Sequence, residues 1–133
     1  MGTDGSATAA EAVRTATELA RRFEAELVLL SAFHGDGGST GEHDPELQWA
    51  SSPAARLREI LHRTEDEVRR SGVECRTLTD VGEPGEVLVR LAESCKADVL
   101  VIGNKGMHRR VLGSVPNTVT HRAPCSVFVV KTT

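Results

Sequence analysis

A chain of 133 residues has the length of one domain around a single core, and no break in composition divides it. With a formal net charge of -3, 3% aromatic residues and no tyrosine, it offers neither the basic field nor the stacking platforms of a nucleic-acid binder. No apolar run approaches the ~20 residues of a membrane span, and the start M-G-T-D-G-S-A lacks the basic and apolar regions of a secretory leader, so a cytoplasmic protein is expected.

In chain order, Gly2 to Ser6 reads as a turn, with Ser6 as the N-cap of a first helix. Ala12, Val13, Ala16, Leu19, Ala20 and Phe23 recur at helical spacing and are expected to face a core, with Glu11, Arg14, Glu18, Arg21 and Arg22 on the other side. Leu27 to Phe33, L-V-L-L-S-A-F, reads as a strand buried on both faces. His34 to Ser52 is rich in Gly, Ser, Asp and Glu without period and is expected to be a flexible loop, in which Trp49 covers either the loop's own base or a ligand.

Pro53 to Ser71 predicts a second helix with Leu57, Ile60, Leu61, Thr64 and Val68 inward, His62 exposed, and Gly72 as its terminator. Glu74 to Val81 mixes apolar and charged residues and suits an edge strand. The turn Val81 to Gly85 leads to a third helix over Glu86 to Cys95, and Asp98 to Ile102 is a short buried strand. Ser114 is expected to cap a short helix running to about Arg122, with Pro116 tolerated in its first turn, and Ser126 to Lys131 is the last strand. Cys75, Cys95 and Cys125 are odd in number and show no C-x-x-C spacing, which favours structural thiols over a metal or redox site.

Strands alternating with helices predict an α/β fold, a parallel sheet with helices on both faces and its site beyond the carboxyl ends of the strands. That directs attention to Asp4, Ala32 to His34, Val81 to Gly82 and Gly103 onward. The first helix has no apolar strand before it, although the first strand of such a sheet is normally central. The first strand is therefore expected to be truncated or missing, with the true start upstream of Met1.

The stretch Gly103 to Asn117, G-N-K-G-M-H-R-R-V-L-G-S-V-P-N, follows the apolar run Val99 to Ile102 and precedes the short helix. This strand, glycine loop and helix order lets backbone N–H groups approach a phosphate. Together with G-T-D-G-S-A at the start, V-G-E-P-G-E before the third helix and A-P-C-S-V-F-V-V-K near the end, it resembles the universal stress protein family over Gly2 to Lys131. The resemblance implies a Rossmann-like sheet of the adenine nucleotide alpha hydrolase type, strand order 3-2-1-4-5, and a homodimer through the last strand, here Ser126 to Lys131.

It also implies a site for ATP or another adenine nucleotide, with or without magnesium. In the family's nucleotide-binding branch the pattern G-x2-G-x9-G-[ST] holds phosphates, and Gly103, Gly106, Gly113 and Ser114 match its fixed positions. Thr3 and Asp4 match the turn after the first strand, beside the nucleoside; Ala32 stands where the second strand meets adenine; Asn104, Lys105 and Val115 fill loop positions lining the same site. The chain departs from the pattern in having six residues, Met107 to Leu112, where the family has nine. His108, Arg109 and Arg110 lie within them, either as phosphate-facing charge or as a solvated tip.

The resemblance implies a stress-response regulator that binds an adenine nucleotide and acts through protein partners, and the sequence offers no catalytic or metal-ligating set beside it. Two alternatives stand beside it. A nucleotide-free dimeric interaction module is favoured by the shortened loop. A slow ATP hydrolase, with Asp4 positioning a metal and Lys105 neutralising phosphate, is disfavoured because no G-x4-G-K-[ST] motif occurs.

Overall fold

A computed structural model describes residues 1–33, 52–104 and 112–132. Its elements are α1 (Ala7–Phe23), β1 (Leu27–Phe33), α2 (Pro53–Arg70), β2 (Cys75–Val81), α3 (Pro84–Ser94), β3 (Val99–Gly103), α4 (Ser114–Arg122) and β4 (Ser126–Val130). The expected loop from His34, with Trp49, lies outside the described residues up to Ser52, whose hydroxyl caps α2 by accepting from the Ala55 N–H at 3.0 Å.

All pairings among the described strands are parallel. β1 and β2 run in register from Leu27 opposite Cys75 to Phe33 opposite Val81, and β3 and β4 from Val99 opposite Ser126 to Gly103 opposite Val130. Between the two pairs lies Met1 to Thr3. The Leu30 N–H donates to the Met1 carbonyl at 2.8 Å and the Thr3 N–H to the Leu30 carbonyl at 2.9 Å, while the Gly2 N–H reaches the other way to the Val101 carbonyl at 2.9 Å. The order across the fold is therefore β2, β1, the Met1 to Thr3 stub, β3, β4. The first strand is present as this stub in the central place.

Gly2 fits there because it has no side chain: a Cβ would stand 2.7 Å from Leu88 Cδ1 of α3. The Met1 ammonium donates to the Val28 carbonyl at 2.9 Å, and burial pushes its pKa down to about 6.

The alternation of β1 sorts the core into two layers. Leu27 and Leu29 pack with Ala12, Val13, Ala16 and Ala20 of α1 and Val68 of α2; Leu30, on the opposite face, packs with Val87, Leu88 and Leu91 of α3 and Val119 of α4. Cys75 belongs to the first layer, and burial, with nearby Glu65, pushes its thiol up to about 11. All three cysteines are free.

The structure corrects several details. Phe23, expected in the core, is 77% exposed. It ends α1 just before the chain reverses at left-handed Glu24, beyond Ala20, the last helical residue in the core layer. Ile60 is also exposed; with Leu57 it leans on the turn at Gly5, where φ is +79° and a Cβ would stand 3.2 Å from Leu57 and 3.4 Å from Ile60. The third helix starts at Pro84 instead of Glu86, because Glu83 caps it through its side chain, accepting from the Glu86 N–H at 3.1 Å. Proline is suited to that first position, where an N–H would have no helical partner.

Candidate functional site

At the carboxyl ends of the strands a cavity of about 340 Å³ opens where the chain switches from β1 to β3, the place a doubly wound sheet reserves for a ligand. Its floor is apolar, with Ala32 from β1, Ile102 from β3 and Leu88 from α3. Its rim carries hydroxyls, from Thr3, Ser6, Thr8, Ser114 and Thr132. Asp4 is the ionisable residue among the described lining residues.

The turn from the stub into α1 is internally bonded. Thr3 Oγ1 accepts from the Gly5 N–H at 3.1 Å, Asp4 Oδ1 from the Ser6 N–H at 2.9 Å, and Ser6 Oγ from the Ala9 N–H at 3.2 Å. Short polar side chains bonding to backbone two or three positions on define such a turn, and it holds the Asp4 carboxylate at the cavity wall. Behind it, buried Ser31 donates its hydroxyl to the Thr3 carbonyl at 2.6 Å.

The start of α4 is built differently. Ser114 was expected to cap this helix; the cap position is Gly113, which has no capping side chain, and Ser114 is the first helical residue. Glycine with φ -65° and ψ 172° completes the extended-to-helical change but leaves first-turn N–H groups uncapped. The helix is held close to α3: a Cβ on Gly85 would stand 2.9 Å from Thr118 Cβ and Cγ2. With Ser114, Val115 and Pro116 on the cavity wall, the positive end of the α4 dipole faces the same space as that of α1, whose Ser6, Thr8 and Ala9 also line it.

Seven of the residues singled out from sequence thus share one wall: Thr3, Asp4, Ala32, Gly103, Gly113, Ser114 and Val115. Asn104 stands behind it, fully buried, its Oδ1 accepting from the Gly113 N–H at 3.0 Å. Lys105 and Gly106 lie outside the described residues, as do His108, Arg109 and Arg110.

Val81 and Gly82, expected to converge on the site, are absent from the described wall. β2 is the outer partner of β1, one strand removed from the switch. Its end is closed locally instead: the Val81 N–H and then Arg90 hold the Asp80 carboxyl below the usual range.

Sequence reasoning did not assign Ser31, Thr8, Leu88 or Thr132 to the site. Ser31 gave a signal, as the polar residue in an apolar strand. Leu88 was visible only as a core residue, and Thr132 gave none. Among the described residues no group of three or more His, Cys, Asp or Glu could hold a metal ion, and no helix is long and apolar enough to cross a membrane.

Comparison with known proteins agrees with this fold. The sequence profile described as the universal stress protein family matches residues 1–131. The chain is 37% identical over 142 aligned residues to Universal stress protein Rv1636 of Mycobacterium tuberculosis, covering all of this chain and 94% of that protein. Among solved structures, a universal stress protein in complex with cAMP is 31% identical with a TM-score of 0.78, covering 100% of this chain and 95% of the other. The universal stress protein from Archaeoglobus fulgidus in complex with dAMP is 26% identical with a TM-score of 0.67, covering 95% and 90%.

Proposed function

The chain belongs to the universal stress protein family, and from that premise we propose that it is a stress-response regulator that binds an adenine nucleotide in the cavity between β1 and β3. The observation that carries the proposal is the pairing, in one cavity, of an apolar floor with two helix N-termini. Adenine is a flat apolar ring with polar edges, suited to Ala32, Leu88 and Ile102; Asp4 and Thr3 stand where ribose hydroxyls need partners. The phosphate belongs at Ser114 and Val115, where uncapped N–H groups and the helix dipole favour an anion. Related structures that hold cAMP and dAMP support the same class of ligand.

A di- or triphosphate would bring magnesium, which is commonly held by one or two carboxylates and the phosphates themselves. Asp4, the ionisable residue of the described wall, stands on the ribose side in this reading, so the described phosphate end at Ser114 and Val115 offers no carboxylate to the ion and the phosphates themselves would hold it.

Titration calorimetry with ATP, ADP, AMP and cyclic AMP tests the reading. Heat that saturates for at least one of them, with a matching rise in melting temperature, is expected. No heat and no thermal shift at millimolar nucleotide would leave the interaction-module reading in its place.

The regulator acts through protein partners and, in this proposal, as a homodimer joined along β4. Val99 and Phe128 are 48% and 43% exposed on the sheet face that carries Val101, paired with Phe128. β4 is the outer strand of the described order, and an apolar edge strand is a template for pairing with a second chain. Sedimentation over a dilution series should show a dimer that dissociates, and a monomer at all concentrations would remove this part of the proposal.

A further inference from the structure

The cavity wall ends at Gly113, and what holds Gly113 is a residue outside that wall. Asn104 follows β3, is fully buried, and reaches across nine positions of sequence to accept the Gly113 N–H through Oδ1 at 3.0 Å. Its own carbonyl accepts the Thr132 hydroxyl at 3.2 Å, and Thr132, 3% exposed, lines the cavity just beyond β4. Before it, Gly103 lies against α1 and the end of β4: a Cβ there would stand 3.4 Å from both Ala12 Cβ and Thr132 Cγ2. Asn104 is thus fixed on two sides and fixes Gly113 in turn.

The other half of its amide, Nδ2, is buried and has no hydrogen-bond partner among the described residues. A buried unsatisfied donor is a cost that an apolar residue of the same shape would avoid. What the amide supplies in return is an acceptor for the helix start. Gly113 has no side chain to cap α4 and, as glycine, has the widest choice of backbone conformations. A hydrogen bond from outside the helix fixes it, and with it the direction of the Ser114 and Val115 N–H groups. It also takes up the Gly113 N–H, so the donors left for an anion are those inside the first turn.

We propose that Asn104 is the positioning residue for the phosphate end of the site: it does not touch ligand, but orients the start of α4 toward it. This rests on the nucleotide reading above and adds a residue and a route to it. A role confined to that end weakens phosphate-bearing ligands selectively, whereas loss of general stability weakens every ligand.

The test is calorimetric titration of the wild-type chain, Asn104→Leu and Asn104→Ala with AMP and, separately, with adenosine, together with hydrogen exchange of the Gly113 amide. Asn104→Leu keeps the buried shape and removes the acceptor. It is expected to weaken AMP by about tenfold or more while adenosine changes by less than about threefold, and to speed Gly113 exchange. Asn104→Ala should do the same with a lower melting temperature, from the added cavity. If the Asn104 variants do not fold, Thr132→Val, which exchanges the hydroxyl bonded to the Asn104 carbonyl for a methyl in the cavity wall, should weaken AMP by about threefold more than it weakens adenosine.

AMP bound by Asn104→Leu, or by Thr132→Val where that is the variant measured, as tightly as by wild type would overturn the proposal while leaving the nucleotide reading intact. Equal losses for AMP and adenosine would reduce Asn104 to a structural role. Failure of the wild type to bind AMP would reject this proposal together with the reading it rests on.

Discussion

Two helices begin on the same cavity and meet the same problem, a first turn of N–H groups with no helical partner, in opposite ways. At α1 the preceding turn uses its polar side chains internally, Thr3 to Gly5, Asp4 to Ser6 and Ser6 to Ala9. At α4 the cap residue is Gly113, without a side chain, fixed from outside by Asn104. At α1 a cap side chain takes the Ala9 N–H of the first turn; at α4 no cap side chain competes for the first-turn donors. Capping and anion binding compete for the same groups, so the uncapped helix is the one to suspect of holding the ligand.

The strongest way to break this comparison is to put a fixed anion at α4. Ser114→Glu places a carboxylate in the first turn of a helix that has no acidic residue there, where it complements the dipole and stabilises the helix by about 0.3–1 kcal/mol. The same charge repels a phosphate and occupies its donors. Nucleotide affinity is expected to fall by about 100-fold or more, close to 3 kcal/mol, while the melting temperature holds or rises. Calorimetry and thermal unfolding on one preparation would show the two effects in opposite directions. Tight binding by this variant would move the phosphate away from α4.

Ser6→Ala addresses the other helix. It removes the hydroxyl that accepts from the Ala9 N–H and should cost about 1 kcal/mol of stability, read by chemical denaturation. Nucleotide affinity should change by less than about threefold, because the α1 start shapes the wall without giving its donors to the phosphate. A loss comparable to that of Ser114→Glu would mean that both helix starts bind the anion.

The two helices also differ in how much of their role could be read from sequence. Ser6 announced the start of α1, since a hydroxyl before a helical stripe has one common use. The same rule misassigned Ser114: local sequence cannot tell which residue of a Gly-Ser pair adopts the extended cap conformation. The layers and the central place of the first strand followed from the periodicity of Leu27 to Phe33 and from the family resemblance, because burial on both faces leaves a plain apolar run.

What remained hidden depends on long-range contact. Phe23 keeps helical spacing but lies past the last residue of α1 in the core, and Thr132 enters the wall because β4 ends beside Gly103. Asn104 read as a residue lining the site, whereas its amide turns back to Gly113. That choice goes with partners far along the chain, the Gly113 N–H and the Thr132 hydroxyl.

The smallest and most discriminating change gives α4 the kind of cap that α1 has. Gly113→Ser suits a residue with φ -65° and ψ 172°, an extended backbone open to any side chain. A cap hydroxyl bonds to the second or third N–H of the helix; here the third residue is Pro116, which has none. The new hydroxyl therefore has one target, the Val115 N–H, one of the two donors assigned to the phosphate. Replacing glycine by serine at a cap should add only a few tenths of a kcal/mol of stability, and nucleotide affinity should fall by about threefold as ligand and hydroxyl compete. If stability rises and affinity does not move, the Val115 N–H is no part of the phosphate site, and of the two first-turn donors only the Ser114 N–H remains assigned to it.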